Sequence, residues 1–136
     1  MEEFGKFLGW ATAICFGMSL MTFIVKKVNR WVIKQFAKDS KVRIYFGRFM
    51  RFIIRFHMYF GIGAGVLAVS HLYLQISNGR TSLVGIMAVS LMILTVLLGV
   101  AMKKIGLARH QWLLFTHRSV VVLLLMTVII HIILAG

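Results

Sequence analysis

The sequence of 136 residues contains no proline, one cysteine and only 3 acidic residues. The lone Cys15 cannot form an internal disulfide, and the chain has no Cys/His spacing of the kind that holds zinc or attaches a c-type haem. Charged residues make up 14 % of the chain, well below the roughly 25 % of a soluble domain. None of the acidic residues falls inside a long apolar run, which argues against a proton relay built on membrane carboxylates.

Apolar residues are correspondingly abundant, at 60 % of the chain, compared with about 45–50 % in soluble domains. A water-soluble globule could not cover so much apolar surface, and a disordered chain would not carry it. The 16 Lys and Arg residues give a net charge of +13. Because these cations flank long apolar runs, they indicate an integral membrane protein and not a protein that binds nucleic acid.

Four apolar runs approach the roughly 20 residues that a membrane-spanning helix needs. They cover residues 7–25, 52–76, 82–102 and 111–134. The first run follows two acidic residues and ends in a basic run, so we interpret it as a retained helix and not as a signal peptide. The chain is therefore predicted to be one all-α domain, a transmembrane four-helix bundle that crosses a cell membrane.

The distribution of Lys and Arg predicts the orientation of this bundle. Fourteen of these residues lie in or near the loops that follow the first and third runs, and two, Lys6 and Arg80, lie on the other side. By the positive-inside rule, both basic loops are cytoplasmic and both termini are extracytoplasmic. The first loop, residues 26–50, is also aromatic. We expect it to lie on anionic lipid at the inner interface or to dock a soluble electron donor.

The histidines carry the strongest functional signal. His57 and His71 are 14 residues apart in the second run, and His117 and His131 are 14 residues apart in the fourth. Fourteen residues return a helix to within about 40° of the same face and advance it by about 21 Å. Both helices enter from the cytoplasmic side, so His57 would face His117 at an inner level, and His71 would face His131 at an outer level.

Two facing imidazoles can supply both axial ligands of one haem iron, so the four histidines predict two b-type haems. A single intramembrane histidine more often makes an interhelical hydrogen bond, but two pairs of equal spacing are far more specific. A zinc or copper site would require three or four clustered ligands, often with cysteine or carboxylate among them.

Small residues and arginines complete the predicted haem sites. Gly61 and Gly65 leave room for a flat ring on the second helix, and Gly85 and Gly99, 14 residues apart, match the two levels on the third. Close packing of helices is the alternative role for these glycines.

Haem propionates need cationic or polar partners. Arg55 and Arg118 are candidates for this role at the inner level, with Arg51 nearby, and Arg80 is the candidate at the outer level. The alternative is that the inner arginines extend to the interface. His110 is expected to be a polar residue of the inner surface or part of a quinone or donor site.

This pattern resembles the two-haem transmembrane cytochromes b, most of all the ferric-reductase-like transmembrane core that is shared with NADPH oxidases. The resemblance rests on RFHMYFGIGAGVLAVSH, which ends in His71, and on HRSVVVLLLMTVIIH, which ends in His131. The cytochrome b of bc complexes is also similar, but here the first helix lacks two glycines 14 residues apart, and the N-terminus is predicted outside.

The resemblance implies an electron-transfer component, since the flavin and nicotinamide domain of ferric reductases is missing. We expect electrons to enter at the inner haem from a cytoplasmic flavoprotein and to leave the outer haem for an extracytoplasmic acceptor, with no catalytic residue in this chain. One alternative is a quinone-linked cytochrome b subunit of a larger respiratory oxidoreductase. Another is a small haem-free membrane transporter, although the Ser and Thr residues form no clear polar path.

Overall fold

The computed structural model describes residues 2–104 and 111–135, and almost all of these are helical. The predicted all-α class is confirmed. Each long helix has the length and hydropathy to cross a membrane, which fits the predicted multi-pass membrane protein. The elements are α1 (Glu2–Trp31), a short 3₁₀ turn (Ile33–Gln35), α2 (Lys41–Ser77), α3 (Leu83–Lys104) and α4 (Gln111–Ala135).

Serine caps begin two of these helices. Ser40 accepts a hydrogen bond from the backbone N–H of Arg43 at the start of α2, at 3.3 Å, and Ser82 accepts one from the N–H of Gly85 at the start of α3, at 3.0 Å. Such caps satisfy backbone donors that have no partner within the helix. A turn connects α2 to α3, and Gly79 adopts a φ of +68° there, a conformation that glycine reaches without strain.

The helices α1 and α2 extend beyond the apolar runs predicted for them. The segment 26–50, expected to be a separate interfacial element, consists mainly of the end of α1 and the start of α2, joined by the 3₁₀ turn and Ser40. Lys and Arg are good helix formers, and no proline interrupts the chain. A basic stretch therefore continues a membrane helix where hydropathy alone would end it.

Consecutive helices pack against each other: α1 on α2, α2 on α3, and α3 on α4. Among the described residues, α2 and α4 make no close backbone approach, although these two helices carry the four paired histidines. The space between them at mid-height contains the best-buried side chains, Ala64 and Leu124, each 0 % exposed. Each lies seven residues from both histidines of its own helix, so the core separates an inner from an outer histidine level.

Cys15 packs against this core from α1 and is partly buried, together with the buried ring of Phe16. It takes the place of a small apolar side chain there.

Candidate functional site

The outer level brings His71 of α2 and His131 of α4 together. Their ring centroids are 6.4 Å apart, and the ring planes are inclined by 78°. A metal that bonds one nitrogen of each ring at about 2 Å separates those nitrogens by about 4 Å, and the ring centroids lie farther apart than the nitrogens. The observed separation is therefore in the range that one shared metal requires.

Both outer rings are oriented by a partner on a neighbouring helix. The Nδ1–H of His71 donates to the backbone carbonyl of Gly5 at 2.8 Å, and Nδ1 of His131 lies 3.4 Å from the hydroxyl of Ser82. Because a carbonyl oxygen only accepts, His71 must carry its hydrogen on Nδ1, which leaves the lone pair of Nε2 available. This is the arrangement typical of metal-ligating histidines.

The inner level pairs His57 of α2 with His117 of α4, which are close enough to interact electrostatically. Nδ1 of His57 lies 3.0 Å from the backbone carbonyl of Ser19 and 3.1 Å from the hydroxyl of the same residue. His117 differs, since its Nδ1 is buried and has no hydrogen-bond partner in the described part of the chain. The main chain of Thr95 lies near the ring, outside hydrogen-bonding geometry.

The α1 carbonyls that orient α2 repeat with the same period as the histidines. Gly5 and Ser19 are 14 residues apart, and in the antiparallel hairpin Gly5 pairs with His71 and Ser19 with His57. Sequence analysis missed both residues because backbone carbonyls have no residue-type signature. The matching interval on α1 is the signal that could have found them.

The glycines of α3 lie directly against the imidazoles of α4. A Cβ atom added at Gly85 would stand 3.0 Å from Cε1 of His131 and 2.9 Å from the Ser82 hydroxyl, whereas one added at Gly99 would stand 3.5 Å from Cε1 of His117. Gly85 and Gly99 therefore lie at the two histidine levels, where each makes room for a histidine ring, and their predicted role in giving clearance to a haem stays a prediction. Gly9 of α1 has the same relation to His71, at 3.1 Å.

The α2 glycines face other helices. A Cβ at Gly61 would stand 3.9 Å from the hydroxyl of Ser19 on α1, and one at Gly65 would stand 3.3 Å from the side chain of Val96 on α3. The contacts of both glycines are thus with helix neighbours, the alternative that sequence analysis left open. Their predicted role in giving room to a ring between α2 and α4 stays a prediction.

A partly open cavity of about 930 Å³ adjoins the outer pair, lined by residues of all four helices and of the turn between α2 and α3. This volume lies in the range of sites that hold a cofactor, about 300–1,000 Å³. Its lining includes both outer histidines, Gly85, and the cations Lys6 and Arg80. The lining thus combines two imidazoles, apolar walls and positive charge, which suits a flat apolar ring with anionic substituents.

The arginines predicted near the inner level are all exposed. Arg51, Arg55 and Arg118 lie on the surface of α2 and α4, next to or within two turns of the inner histidines. Their role as propionate partners stays a prediction. His110, the remaining histidine, lies outside the described residues.

No cluster of three or more metal-ligating side chains occurs within residues 2–104 and 111–135. The described chain instead offers imidazoles in pairs. A pair suffices for iron when a macrocycle fills the remaining coordination positions.

Comparisons with protein-family models, with curated proteins and with solved structures gave no match for this chain. The site must therefore be interpreted from its own residues.

Proposed function

We propose that this chain is a membrane-embedded dihaem b-type cytochrome that carries electrons between the two faces of a membrane. His57 and His117 hold the inner haem, and His71 and His131 hold the outer one. The observation that carries the proposal is the outer pair, with rings 6.4 Å apart beside a cavity of about 930 Å³. A haem iron supplies one-electron redox chemistry when bound.

The protein's own residues perform three tasks in this proposal. The carbonyls of Gly5 and Ser19 fix the Nδ1–H tautomer of the α2 histidines, which would leave the lone pair of Nε2 to bind the iron. The buried Ala64 and Leu124 exclude water between the levels. The glycines at positions 85 and 99 let the Cε1 edges of the α4 rings approach α3 closely. The chain thereby keeps two redox sites apart in a dry medium.

The direction of transfer rests on charge. The basic side of the bundle is assigned to the cytoplasm by the positive-inside rule, with both termini outside. A cytoplasmic flavoprotein then serves as donor to the inner haem, and the outer haem serves an extracytoplasmic acceptor. Arg80 and Lys6 line the outer cavity and are the candidate cations for its propionates, although Lys6 also pairs with Glu3 at 3.1 Å.

Transfer across a sealed membrane tests this function. The haem-loaded protein is reconstituted in vesicles that enclose ferricyanide, dithionite is added outside, and valinomycin with potassium dissipates the membrane potential. We expect the enclosed ferricyanide to lose its colour with the wild-type chain. With His71→Ala we expect the rate of vesicles without protein, because one level is missing from the route.

Equal bleaching by the wild type and by His71→Ala would contradict the proposal. The quinone-linked alternative predicts a different result: a short-chain quinol reduces the bound haem, but the enclosed ferricyanide stays oxidised. Measuring both on one preparation separates the two functions.

A further inference from the structure

The two halves of the bundle carry the same arrangement of site residues. In the first hairpin, Gly5 and Ser19 of α1 contact His71 and His57 of α2. In the second hairpin, glycines 85 and 99 of α3 stand against the rings of His131 and His117 of α4, and the α1 residue with the same contact as Gly85 is Gly9, against the ring of His71. The outer and inner contacts of each half are 14 residues apart on both of its helices. The two halves therefore place their histidine contacts in the same way, so the lengths of the two hairpins beyond the inner level can be compared.

The comparison reveals an extension of the first half. Gly9 and His71 are 62 residues apart, whereas Gly85 and His131 are 46 apart, so the first hairpin has 62 − 46 = 16 more residues beyond the inner level. Divided between two helical arms, 16 residues lengthen a hairpin by about 12 Å. The first hairpin therefore projects beyond the inner ends of α3 and α4 by about this distance.

The projecting part has its own support. Ile33, in the 3₁₀ turn, is buried at 6 % exposure, and this turn packs against both α1 and α2. The guanidinium of Arg43 donates to the backbone carbonyl of Phe36 at 3.1 Å, which ties the start of α2 to the connection before it. These contacts hold the extension as a defined helical hairpin.

We name residues 26–50 the basic hairpin. It contains eight Lys and Arg residues and a single acidic residue, Asp39. Large aromatic side chains are exposed among these charges: Trp31 at 67 %, Tyr45 at 65 % and Phe49 at 45 %. Docking surfaces typically combine exposed aromatic residues with surrounding charges of one sign. The aromatic residues contribute most of the binding energy at such surfaces.

The height of the basic hairpin favours a protein partner over lipid. The polar headgroups of one leaflet add about 5–8 Å to the hydrocarbon core, whereas the hairpin projects about 12 Å. We therefore expect its tip, with Lys34, Lys38 and Trp31, to stand in water above the headgroups. Cations held there attract an acidic surface and raise its rate of association.

We propose that the basic hairpin docks the acidic face of a small soluble electron-carrier protein, beside the inner histidine level. This inference rests on the proposed function for the nature of the partner. The docking itself depends only on the charge and shape of the hairpin, so it is measured as binding, without any redox readout.

The test uses the full chain in nanodiscs of neutral phosphatidylcholine. Binding of two acidic carriers, a flavodoxin and a plant-type ferredoxin, is measured at low and high salt, with basic cytochrome c as the negative probe. The variant Lys34→Gln/Lys38→Gln removes two charges from the hairpin. Its matched control, Lys103→Gln/Lys104→Gln, removes two exposed charges from the end of α3, on the same side of the bundle.

We expect at least one acidic carrier to bind. Its binding should weaken about tenfold in the hairpin variant and less than about twofold in the control, and it should fall steeply as salt rises. Equal weakening in both variants would overturn the proposal. So would binding of neither carrier, or a hairpin variant that binds the acidic carriers as tightly as the wild type does. A colourless protein that still binds an acidic carrier through the hairpin would disprove the cytochrome and leave the docking surface intact.

Discussion

The outer and inner histidine levels are built from the same parts but are not equally prepared. At the outer level, both rings have an Nδ1 partner, in Gly5 and Ser82, and they face each other beside a large cavity. At the inner level, His57 has the carbonyl of Ser19, whereas Nδ1 of His117 is buried without a partner among the described residues. Both histidine rings of the outer site are thus held in orientation by a hydrogen-bond partner, whereas only one ring of the inner site is.

This difference shows which part of the chain sets the orientation of the histidine rings. The two α2 histidines receive equivalent carbonyls from α1, so their orientation follows from the backbone of one helix and needs no particular side chain there. The α4 histidines depend on α3 and its cap: the hydroxyl of the cap residue Ser82 lies 3.4 Å from Nδ1 of His131, whereas His117 has only the main chain of Thr95 near its ring. Hydrogen-bond partners that orient a ligand ring change metal affinity by about 10–100-fold when removed.

The largest effect is expected when one histidine of a pair is removed, since this should abolish haem binding at one level and leave the other level intact. In His71→Ala one axial ligand of the outer site is lost, and we expect haem per chain to fall from about two to about one, with the inner site retained. His57→Ala is the mirror-image control and should retain the outer haem. Haem is quantified against protein in purified samples. Loss of both haems in both variants, or of neither, would show that the levels are not independent sites.

A smaller effect is expected at the α3 glycines. In Gly85→Ala the new methyl meets the Ser82 hydroxyl and the ring of His131 at 2.9 and 3.0 Å, so the ring or the cap must shift, at a cost of about 1–3 kcal/mol. Haem retention at the outer level should fall accordingly. Gly99→Ala has 3.5 Å available at His117 and should retain the inner haem. Haem loss on heating measures both, and equal behaviour of the two variants would argue that ring contact with α3 is unimportant.

The smallest effect is expected from a substitution that offers Nδ1 of His117, at the inner level, the hydrogen-bond partner that it lacks among the described residues. Gly99→Ser places a hydroxyl beside the Cε1 edge of His117, next to its unpartnered Nδ1. We expect inner haem retention to rise by less than about tenfold, towards the retention of the outer level. The reference is Gly99→Ala, which adds the methylene without the hydroxyl. Retention that is the same in the serine and alanine variants would mean that His117 is already oriented by other contacts.

Much of the fold followed from the sequence because membrane spans obey simple rules. The four helices lie where apolar runs predicted them, and the histidine pairs share a level because a helix repeats its face after 14 residues. The ends of α1 and α2 did not follow, since hydropathy falls at Lys26 while helix propensity does not.

The orientation of the rings could be predicted least. Gly5 and Ser19 act through main-chain oxygens, which every residue has, and their role depends on how α1 is packed against α2. Gly61 and Gly65 lie on the correct helix, but their contacts are with α1 and α3. Spacing identifies a helix face, and only the packed bundle shows which neighbour that face meets.

The most direct test is the visible spectrum of the purified wild-type chain, dithionite-reduced minus oxidised, with haem quantified per polypeptide. We expect the absorption of a low-spin b-type cytochrome and about two haems per chain, since each histidine pair provides both axial ligands. A chain that stays colourless when it is produced and purified with haem in excess would contradict the central claim. The histidine pairs would then be ring contacts of a haem-free bundle.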